Sequence, residues 1–259
     1  MKYNVDEKIK DYYDNASIGK IRDFIFGNAR VDIAWNTIKT TVEKPTEILE
    51  IGCGIGAMCN RCNLRWPDAH IIGIDISAKS IDIAQKLFES KNCKFYSQLP
   101  KEHDNRKKFD LIFLIDVIEH VEKAQRQQLF SFIENNLSEN GMLMLAFPTP
   151  HMLDINRKYY PEKLQPIEEN VYISDLQEIS KAINKPLVLY KEVFVWEKRD
   201  YAHAIFSEQL LDIIEKPVAL REQVRKKLRS LHRKAKETNS TEIRNEIVLR
   251  KLNINISNP

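Results

Sequence analysis

Three glycines alternate with other residues directly after an apolar run that ends in an acid. Residues 48–56 read ILEIGCGIG, so Gly52, Gly54 and Gly56 closely follow Glu50. Glycine permits positive φ and lets a ligand touch main-chain atoms. A helix beginning after the turn would add free N–H groups and a partial positive charge. The pattern therefore predicts a ligand that lies across bare backbone between a strand and a helix.

A second acid, Asp75, ends the next apolar run, HIIGI. A carboxylate in this place can accept two hydrogen bonds from a ribose diol, as in nucleotide-binding folds. The glycines lack the G-x-G-x-x-G spacing typical of pyrophosphate binding, because Met58 and Cys59 occupy the region of the third glycine. Glu50 would also lie unfavourably against a pyrophosphate. A ligand with a ribose and a cationic or zwitterionic end suits the site better than a dinucleotide.

The elements that must hold these residues are visible in the hydropathy pattern. From residue 46 to 148, continuous apolar runs alternate with helical stretches, which is typical of strands covered on both faces. Short connections between them predict a doubly wound α/β domain. After Pro148 the rhythm changes to a segment rich in Pro, Tyr and Asn, then a helix and two strand-like runs that suggest an antiparallel hairpin. Residues 208–259 are predicted to form a helical appendage.

The order of the motifs resembles that of class I S-adenosylmethionine-dependent methyltransferases. The stretches that carry the resemblance are EIGCGIG, GIDIS and FDLIFLIDVIEHV, and it extends over about residues 20–207. It implies a seven-stranded sheet in the order 3-2-1-4-5-7-6 with strand 7 antiparallel. It also implies S-adenosyl-L-methionine as the cofactor. We accordingly predict a methyltransferase domain over 1–207 and a basic helical extension over 208–259.

The resemblance also implies which residues contact the cofactor. They are Arg30, Glu50, Gly52, Gly54, Asp75, Ile76, Ser97, Gln98, Leu99, Asp116 and Val117. In the family, the glycines pass beneath the methionine part, the acid at 75 holds the ribose hydroxyls and residue 76 packs on adenine. Asp116 and Val117 would line the methionine side. The family's acid after strand three is missing here, so that Ser97 or Gln98 would have to replace it.

Arg30 lies in DFIFGNARVDIAW, which resembles an aromatic-rich helix that precedes strand one in some members of the family. There an arginine binds the cofactor carboxylate, and the planar guanidinium suits that role. A solvated arginine on an amphipathic helix is the alternative.

Two histidines are the candidate catalytic residues. Methyl transfer needs the nucleophile aligned with the methyl group and, for a hydroxyl, a base to remove the proton. His120 follows the fourth strand and His151 the fifth, and imidazole titrates near neutral pH. His120 could alternatively only shape the pocket. Asp116, Glu119 and both histidines resemble the metal ligands of small-RNA 2′-O-methyltransferases, but we favour a site without metal.

The acceptor is predicted to be a hydroxyl of a small molecule or saccharide, a surface-glycan sugar included. Residues 148–172 would supply a substrate lid. Its aromatic and basic side chains at positions 157–160 favour a polar or anionic acceptor, or else simply close the domain surface. The alternatives are an RNA 2′-O-methyltransferase with metal assistance and a cofactor-binding scaffold without turnover.

Length and composition limit the class of protein, its expected location and the role of its cysteines. With 259 residues, 43% apolar and 30% charged, the chain is typical of globular proteins. It has no apolar run long enough for a membrane helix and its N-terminus lacks the apolar core of a signal peptide, so we expect a cytoplasmic protein. Cys59 and Cys62 form a C-x-x-C without further metal ligands at suitable spacing, which favours free thiols.

A basic segment at 218–236 carries eight Lys or Arg residues and one acid, with an apolar stripe at helical spacing. It could pack on the body or on a second copy of the chain, or lie on an anionic membrane surface at the inner face. Contact with nucleic acid is disfavoured, because no aromatic stacking motif accompanies the charge.

Overall fold

The computed structural model describes residues 7–98, 108–209, 240–254 and 256. In these parts of the chain, seven strands form one sheet in the order β3-β2-β1-β4-β5-β7-β6. The strands are β1 Glu47–Ile51, β2 His70–Ile74, β3 Cys93–Tyr96, β4 Phe109–Ile115, β5 Leu137–Pro148, β6 Leu187–Val193 and β7 Tyr201–Phe206.

The predicted strand order and the antiparallel position of β7 are confirmed. β1 to β5 pair in parallel, whereas β7 runs antiparallel to both β5 and β6. The hairpin-like pair at the end of the domain therefore completes the sheet, as the change in rhythm after Pro148 suggested. The carboxyl ends of β1, β2 and β4 meet at one edge, where ligands bind in open α/β sheets.

Helices cover both faces of the sheet. They are α1 Glu7–Phe26, α2 Ala29–Thr41, α3 Ala57–Arg65, α4 Ala78–Phe88, α5 Lys123–Asn136, α6 Pro150–Tyr159, α7 Ile173–Ala182 and α8, which spans 240–252. Short 3₁₀ helices span Ile118–His120 and Pro161–Lys163. Successive residues of β4 point to opposite faces: Leu111 and Phe113 join the core under α1 to α4, while Ile112 and Leu114 join the core under α5 and α7. This two-sided burial explains the continuous apolar runs.

Two local features differ from the pattern. The sequence Glu139-Asn140-Gly141 predicts a turn before the fifth strand, but these residues lie inside β5, and the pairing of β4 with β5 shifts register near them. In the segment 148–172, α6 begins at Pro150, with the Thr149 hydroxyl accepting a hydrogen bond from the Met152 N–H at 3.3 Å. Proline fits the first position of a helix, where its missing N–H would have no partner.

The C-terminal helix α8 packs on the domain rather than standing apart. Val248 and Ile256 belong to the core under α1 to α4, and the Lys251 Nζ donates to the Leu87 carbonyl at 2.5 Å. The basic segment 218–236 lies outside the described residues, so its contacts stay a prediction. None of the helices that the structure describes is both long and apolar enough to cross a membrane.

Candidate functional site

A cavity of about 670 Å³ opens at the carboxyl ends of β1 and β4. Glu50, Gly52 and Gly54 line it from the turn after β1, and Asp116 lines it from the end of β4. The remaining walls come from α1, α3, α4, α8 and the start of α2. The sheet edge thus brings together the acids and glycines that the sequence singled out.

The turn after β1 is held to β2 by main-chain bonds. The N–H groups of Gly52 and Cys53 donate to the Ile74 carbonyl at 2.8 and 3.0 Å, and both glycines have positive φ, 77° at Gly52 and 53° at Gly54. A Cβ added at Gly52 would collide with Val117, and one at Gly54 would lie 3.1 Å from Lys20 Cδ. Both positions therefore require glycine because of the neighbouring side chains, apart from any contact with a ligand.

Asp75 organises the far side of the turn. Its Oδ2 accepts a hydrogen bond from the Gly54 N–H at 2.7 Å, and its Oδ1 accepts one from the Ser77 N–H at 2.8 Å. The Lys20 Nζ of α1 lies 3.9 Å from Oδ2. The Asp75 carboxylate is buried and already faces two N–H groups and the Lys20 ammonium. A ribose diol would therefore have to share the carboxylate with Lys20 or displace it.

Helix α1 closes over this part of the site. Asp14 accepts hydrogen bonds from the Ser77 hydroxyl at 2.5 Å and from the Lys79 N–H at 3.2 Å, and both donors lie at the start of α4. Tyr13, one residue earlier, lines the cavity, and the Lys20 Nζ lies 5.7 Å from the centre of its ring. The ends of β1 and β2 are thus covered by one face of α1.

Glu50 is almost completely buried at the base of the cavity. Its Oε2 accepts hydrogen bonds from the N–H and the Sγ of Cys59, at 3.0 and 2.9 Å. Burial raises the pKa of Glu50 to about 8, although the bonds from Cys59 oppose the shift. The side chain therefore holds its proton at neutral pH as long as no cation lies beside it.

The four cysteines are free and buried. Burial raises the pKa of Cys53, Cys59 and Cys62 well above the ordinary thiol value. Because the thiolate is the reactive form, these side chains act as packing groups and, for Cys59, as a hydrogen-bond donor.

Arg30 and Asp116 form an ion pair at the end of β4. The Arg30 Nη1 lies 2.8 Å from Asp116 Oδ2 and 3.3 Å from the Tyr201 hydroxyl, and its guanidinium lies over the Trp196 ring at 5.4 Å. Asp116 has φ of 54°, a left-handed conformation that non-glycine residues seldom adopt and that is found at functional sites. The buried Nε of Arg30 and Oδ1 of Asp116 have no partner.

His120 lies in the 3₁₀ helix after β4. Its Nδ1 is 2.8 Å from the Ile167 carbonyl, its Nε2 is 3.7 Å from Glu119 Oε1, and its ring meets the edge of Tyr13. A carbonyl can only accept, so Nδ1 carries the proton and the neutral ring keeps its lone pair at Nε2. His120 itself does not line the cavity; its neighbour Tyr13 does.

Three buried side-chain oxygens have no hydrogen-bond partner: Glu119 Oε2 beside His120, and Glu168 Oε2 and Gln165 Oε1 in the segment whose Ile167 carbonyl faces His120. Burial and the nearby Asp116 carboxylate raise the pKa of Glu119 well above its usual range. Buried polar atoms are normally hydrogen-bonded, so these unpaired oxygens indicate a missing partner.

Other predicted site residues lie apart from the cavity. His151 is exposed in the first turn of α6, and the cavity lining does not include Asp75, Ile76, Ser97, Gln98 or Val117. Leu99 lies outside the described residues. Among the residues that the structure describes, no three His, Cys, Asp or Glu side chains are grouped as metal ligands, so the set containing Glu119 and His151 is not assembled.

Comparison with known proteins identifies a family that part of the chain matches. Residues 49–143 match the family described as a methyltransferase domain. This part of the chain is a methyltransferase domain, and the sheet has the class I methyltransferase fold. The match runs from the middle of β1 to the middle of β5, and therefore includes both the glycine turn and Asp116.

Two curated relatives carry the word O-methyltransferase in their names. Malonyl-[acyl-carrier protein] O-methyltransferase 1 of Ilyobacter polytropus is 32% identical over 108 residues, which are 41% of this chain and 39% of the relative. Ubiquinone biosynthesis O-methyltransferase of Pelagibacter ubique is 32% identical over 109 residues, 40% of this chain and 42% of the relative. The chain thus matches less than half the length of either relative.

Solved structures share the fold. The magnesium protoporphyrin IX methyltransferase of Synechocystis PCC 6803, solved with bound SAH, superposes with a TM-score of 0.59 at 17% identity. The superposition covers 78% of this chain and all of that chain.

The side chains of this methyltransferase domain fit its cofactor. The unpaired Arg30 Nε can donate to the cofactor carboxylate, and the unpaired Asp116 Oδ1 can accept from its ammonium group. Glu50 offers a second acceptor at the base of the cavity. The pairing of Arg30 with Asp116 also means that the arginine is not a solvated surface residue.

The sequence did not point to several residues that build the methyltransferase site. These are Tyr13, Lys20, Gln165, Trp196, Tyr201 and the cavity side chains of α8. They reach the site through long-range packing of the N-terminal helix, the segment after β5 and the C-terminal helix. The Tyr12–Tyr13 pair in a polar helix was the one visible signal.

Proposed function

We propose that this methyltransferase transfers a methyl group from S-adenosyl-L-methionine to a hydroxyl oxygen of a small molecule or saccharide, a surface-glycan sugar included. The main support is the arrangement of His120, whose Nδ1 faces the Ile167 carbonyl and whose Nε2 is left as a base. Names of the two relatives, both O-methyltransferases, support an oxygen acceptor.

In this mechanism the cofactor supplies the methyl group as an electrophile on sulfur. Arg30, Asp116 and Glu50 would bind and orient the methionine end, and Asp75 would accept hydrogen bonds from the ribose. His120 Nε2 takes the proton of the acceptor hydroxyl as the oxygen attacks, and Glu168, whose Oε1 lies 3.9 Å from His120 Nδ1, stabilises the imidazolium that results. Tyr13 must give way to the acceptor, because it lies between the cavity and the His120 edge that it contacts.

The unpaired oxygens favour an acceptor with several hydroxyl groups. Glu119, Glu168 and Gln165 each have a buried side-chain oxygen that lacks a hydrogen-bond partner. The hydroxyls of a sugar or polyol would supply those donors, and leaving such groups unpaired costs about 1–3 kcal/mol each. A methyl acceptor that has no hydrogen-bond donors would leave this cost in place.

The first experiment separates binding from turnover. Calorimetry with the purified chain should show uptake of S-adenosyl-L-methionine, and a screen of hydroxylated small molecules, saccharides and RNA should show methyl transfer to one class. Binding without turnover on any acceptor would favour a cofactor-binding scaffold. Turnover on RNA that a chelator abolishes and Mg²⁺ restores would favour the RNA 2′-O-methyltransferase.

The second experiment tests the base. His120→Gln should lower the rate of methyl transfer about 10²–10⁴-fold with little change in cofactor affinity. His151→Gln is the matched variant, since that histidine is exposed on α6. Loss of activity in His151→Gln alone would transfer the role of base to His151.

Location and assembly are proposed from the charge pattern of the sequence. We expect a cytoplasmic enzyme, and the basic segment 218–236 to contact a second copy or an anionic membrane surface. Removing 218–236 should abolish any binding to vesicles with anionic lipids while methyl transfer in solution persists.

A further inference from the structure

The cavity has a wall that the family resemblance did not include. Arg244, Ile247, Arg250 and Lys251 of α8 all line it. We infer that α8 is an anion-binding wall of the acceptor site, so that the acceptor carries an acidic group in addition to the hydroxyl that is methylated. This inference rests on the proposed function and specifies its substrate class.

The spacing of these residues puts them on one side of the helix. Positions 244, 247 and 251 are three and four residues apart, which is one face at 3.6 residues per turn. Arg250 borders the same face. The acids of α8, Glu242 and Glu246, are exposed and do not line the cavity. The charged residues of α8 that line the cavity are therefore all cationic, although Arg250 and Lys251 are also exposed to water.

The direction of that face is fixed by packing. Val248 is fully buried in the core under α1 to α4, and Ile247 packs against the same core. The Lys251 Nζ bonds the Leu87 carbonyl at the end of α4. A helix anchored in this way keeps this face at the cavity, because rotating it away would expose apolar surface.

The charges of the whole cavity favour an anion. Six cationic side chains line it, against three carboxyl groups: Lys20, Arg30, Arg61, Arg244, Arg250 and Lys251 against Asp23, Glu50 and Asp116. Glu50 holds its proton at neutral pH in the absence of a cation, and Asp116 pairs with Arg30. Lys20 and Arg61 lie 3.9 and 2.6 Å from Asp75 and Asp32, so the excess positive charge of the cavity is that of α8. The cofactor adds an ammonium and a sulfonium but only one carboxylate. Electrostatic complementarity then calls for an acceptor with negative charge.

Apolar side chains beside these cations limit how the acid group is presented. Leu64 of α3, Phe88 of α4 and Ile247 line the same cavity as Arg250. A bulky, fully hydrated polyanion would keep its water and leave the apolar side chains of Leu64, Phe88 and Ile247 poorly covered. A single carboxylate or phosphate ester on a compact molecule fits better, with the charge on α8 and the carbon skeleton against the apolar wall.

The binding test uses inorganic phosphate as the probe and the full chain. Arg250→Ala should weaken phosphate binding about five- to tenfold in a phosphorus NMR titration, as expected for loss of one charge-assisted contact, and Arg250→Lys should restore most of it. Arg225→Ala, in the basic segment 218–236, is the matched control. A loss in Arg225→Ala but not in Arg250→Ala, or no phosphate binding by the wild type, would overturn the inference.

The second test distinguishes the source of the charge and separates the two proposals. Glucose, glucuronate and glucose 6-phosphate share hydroxyls but differ in their acid group. Binding of one anionic sugar at least fivefold tighter than glucose, lost in Arg250→Ala with unchanged affinity for S-adenosyl-L-methionine, supports the wall and names the acid. Equal binding of all three overturns it. Failure of the protein to bind the cofactor, with phosphate still bound through Arg250, would overturn the proposed function alone.

Discussion

The carboxyl group of Glu50 accepts two hydrogen bonds from Cys59 and has almost no contact with water. Its pKa of about 8 means that it is mostly protonated at pH 7. A cation placed beside it favours the carboxylate, so binding of the cofactor ammonium should release a proton. Calorimetric titration with S-adenosyl-L-methionine in two buffers of different ionisation enthalpy should detect this release at pH 7.

Glu50→Gln should abolish that release, because an amide cannot titrate. Glu47→Gln, at the opposite end of β1, is the control and should behave like the wild type. The same heat in both buffers for the wild type would show that Glu50 is ionised before the cofactor arrives, or that it does not meet the cofactor.

Glu50 also predicts how stability depends on pH. A raised pKa in the folded state means that the folded protein binds the proton more tightly than the unfolded chain. The contribution is therefore fully present below pH 4.5, the ordinary value for Glu, and is lost as pH rises through about 8. Urea denaturation should show the stability of the wild type falling relative to Glu50→Gln by about 1–4 kcal/mol across that window. A difference that is independent of pH would contradict the buried, protonated carboxyl.

Single residues of the cofactor site were predictable where their types carry the chemistry. Glycines after a strand and acids at strand ends are visible in the sequence, and Arg30, Glu50, Gly52, Gly54 and Asp116 all line the cavity. The ion pair of Arg30 with Asp116 was not predictable, because it depends on how the start of α2 packs against the end of β4. Ile76 and the residues at 97–98 stay predictions.

Helix α1 competes with the cofactor at the scale of one element. The Lys20 Nζ lies 3.9 Å from Asp75 Oδ2, and its side chain covers Gly54. Lys20→Met should free the carboxylate for the ribose and tighten S-adenosyl-L-methionine binding by about two- to fivefold, the range expected for a partly exposed ion pair. Calorimetry of the two proteins measures the change.

The control for this variant is Lys86→Met, which breaks the exposed pair with Asp82 on α4. It removes the same charge without touching the cavity and should leave affinity unchanged. Weaker cofactor binding in Lys20→Met would mean that Lys20 contacts the cofactor instead of competing with it.

Whole elements were predicted well where burial determines their composition. The five parallel strands are covered on both faces, so they must be apolar throughout. Their apolar runs therefore predicted the positions of the strands and of the helices between them. Segments with mixed patterns were predicted less well. Prolines at 148 and 150 suggested a loop, whereas Pro150 begins α6; Gly141 suggested a turn, whereas β5 continues through it. In both cases a neighbour decided the outcome: the Thr149 cap for α6 and the pairing with β4 for β5.

Across the whole molecule, a buried histidine joins the N-terminal helices to the last strand. His203 of β7 is 1% exposed, and its Nδ1 lies 2.8 Å from the Thr37 hydroxyl of α2. Burial lowers the pKa of His203 to about 4, with Lys191 adding to the shift. The neutral form contributes stability above pH 6.5, and this contribution is lost as pH falls toward 4.

His203→Gln keeps a hydrogen-bonding group next to Thr37 but cannot titrate. Between pH 6.5 and 4 the wild type should lose about 1–3 kcal/mol of unfolding free energy more than the variant, measured by urea denaturation. His151→Gln, at an exposed site, should follow the wild type. Parallel curves for wild type and His203→Gln would show that the ring is solvated.

The cavity is bounded at one side by α1 and at another by α8, helices that are remote from each other in the sequence. Transient detachment of either helix would open the pocket, so a molecule seated between them must oppose both events with its own binding energy. Protease cleavage within the two helices should then slow together when the pocket fills. Fragment patterns from limited digestion would in this way report occupancy, even for a compound that is never methylated.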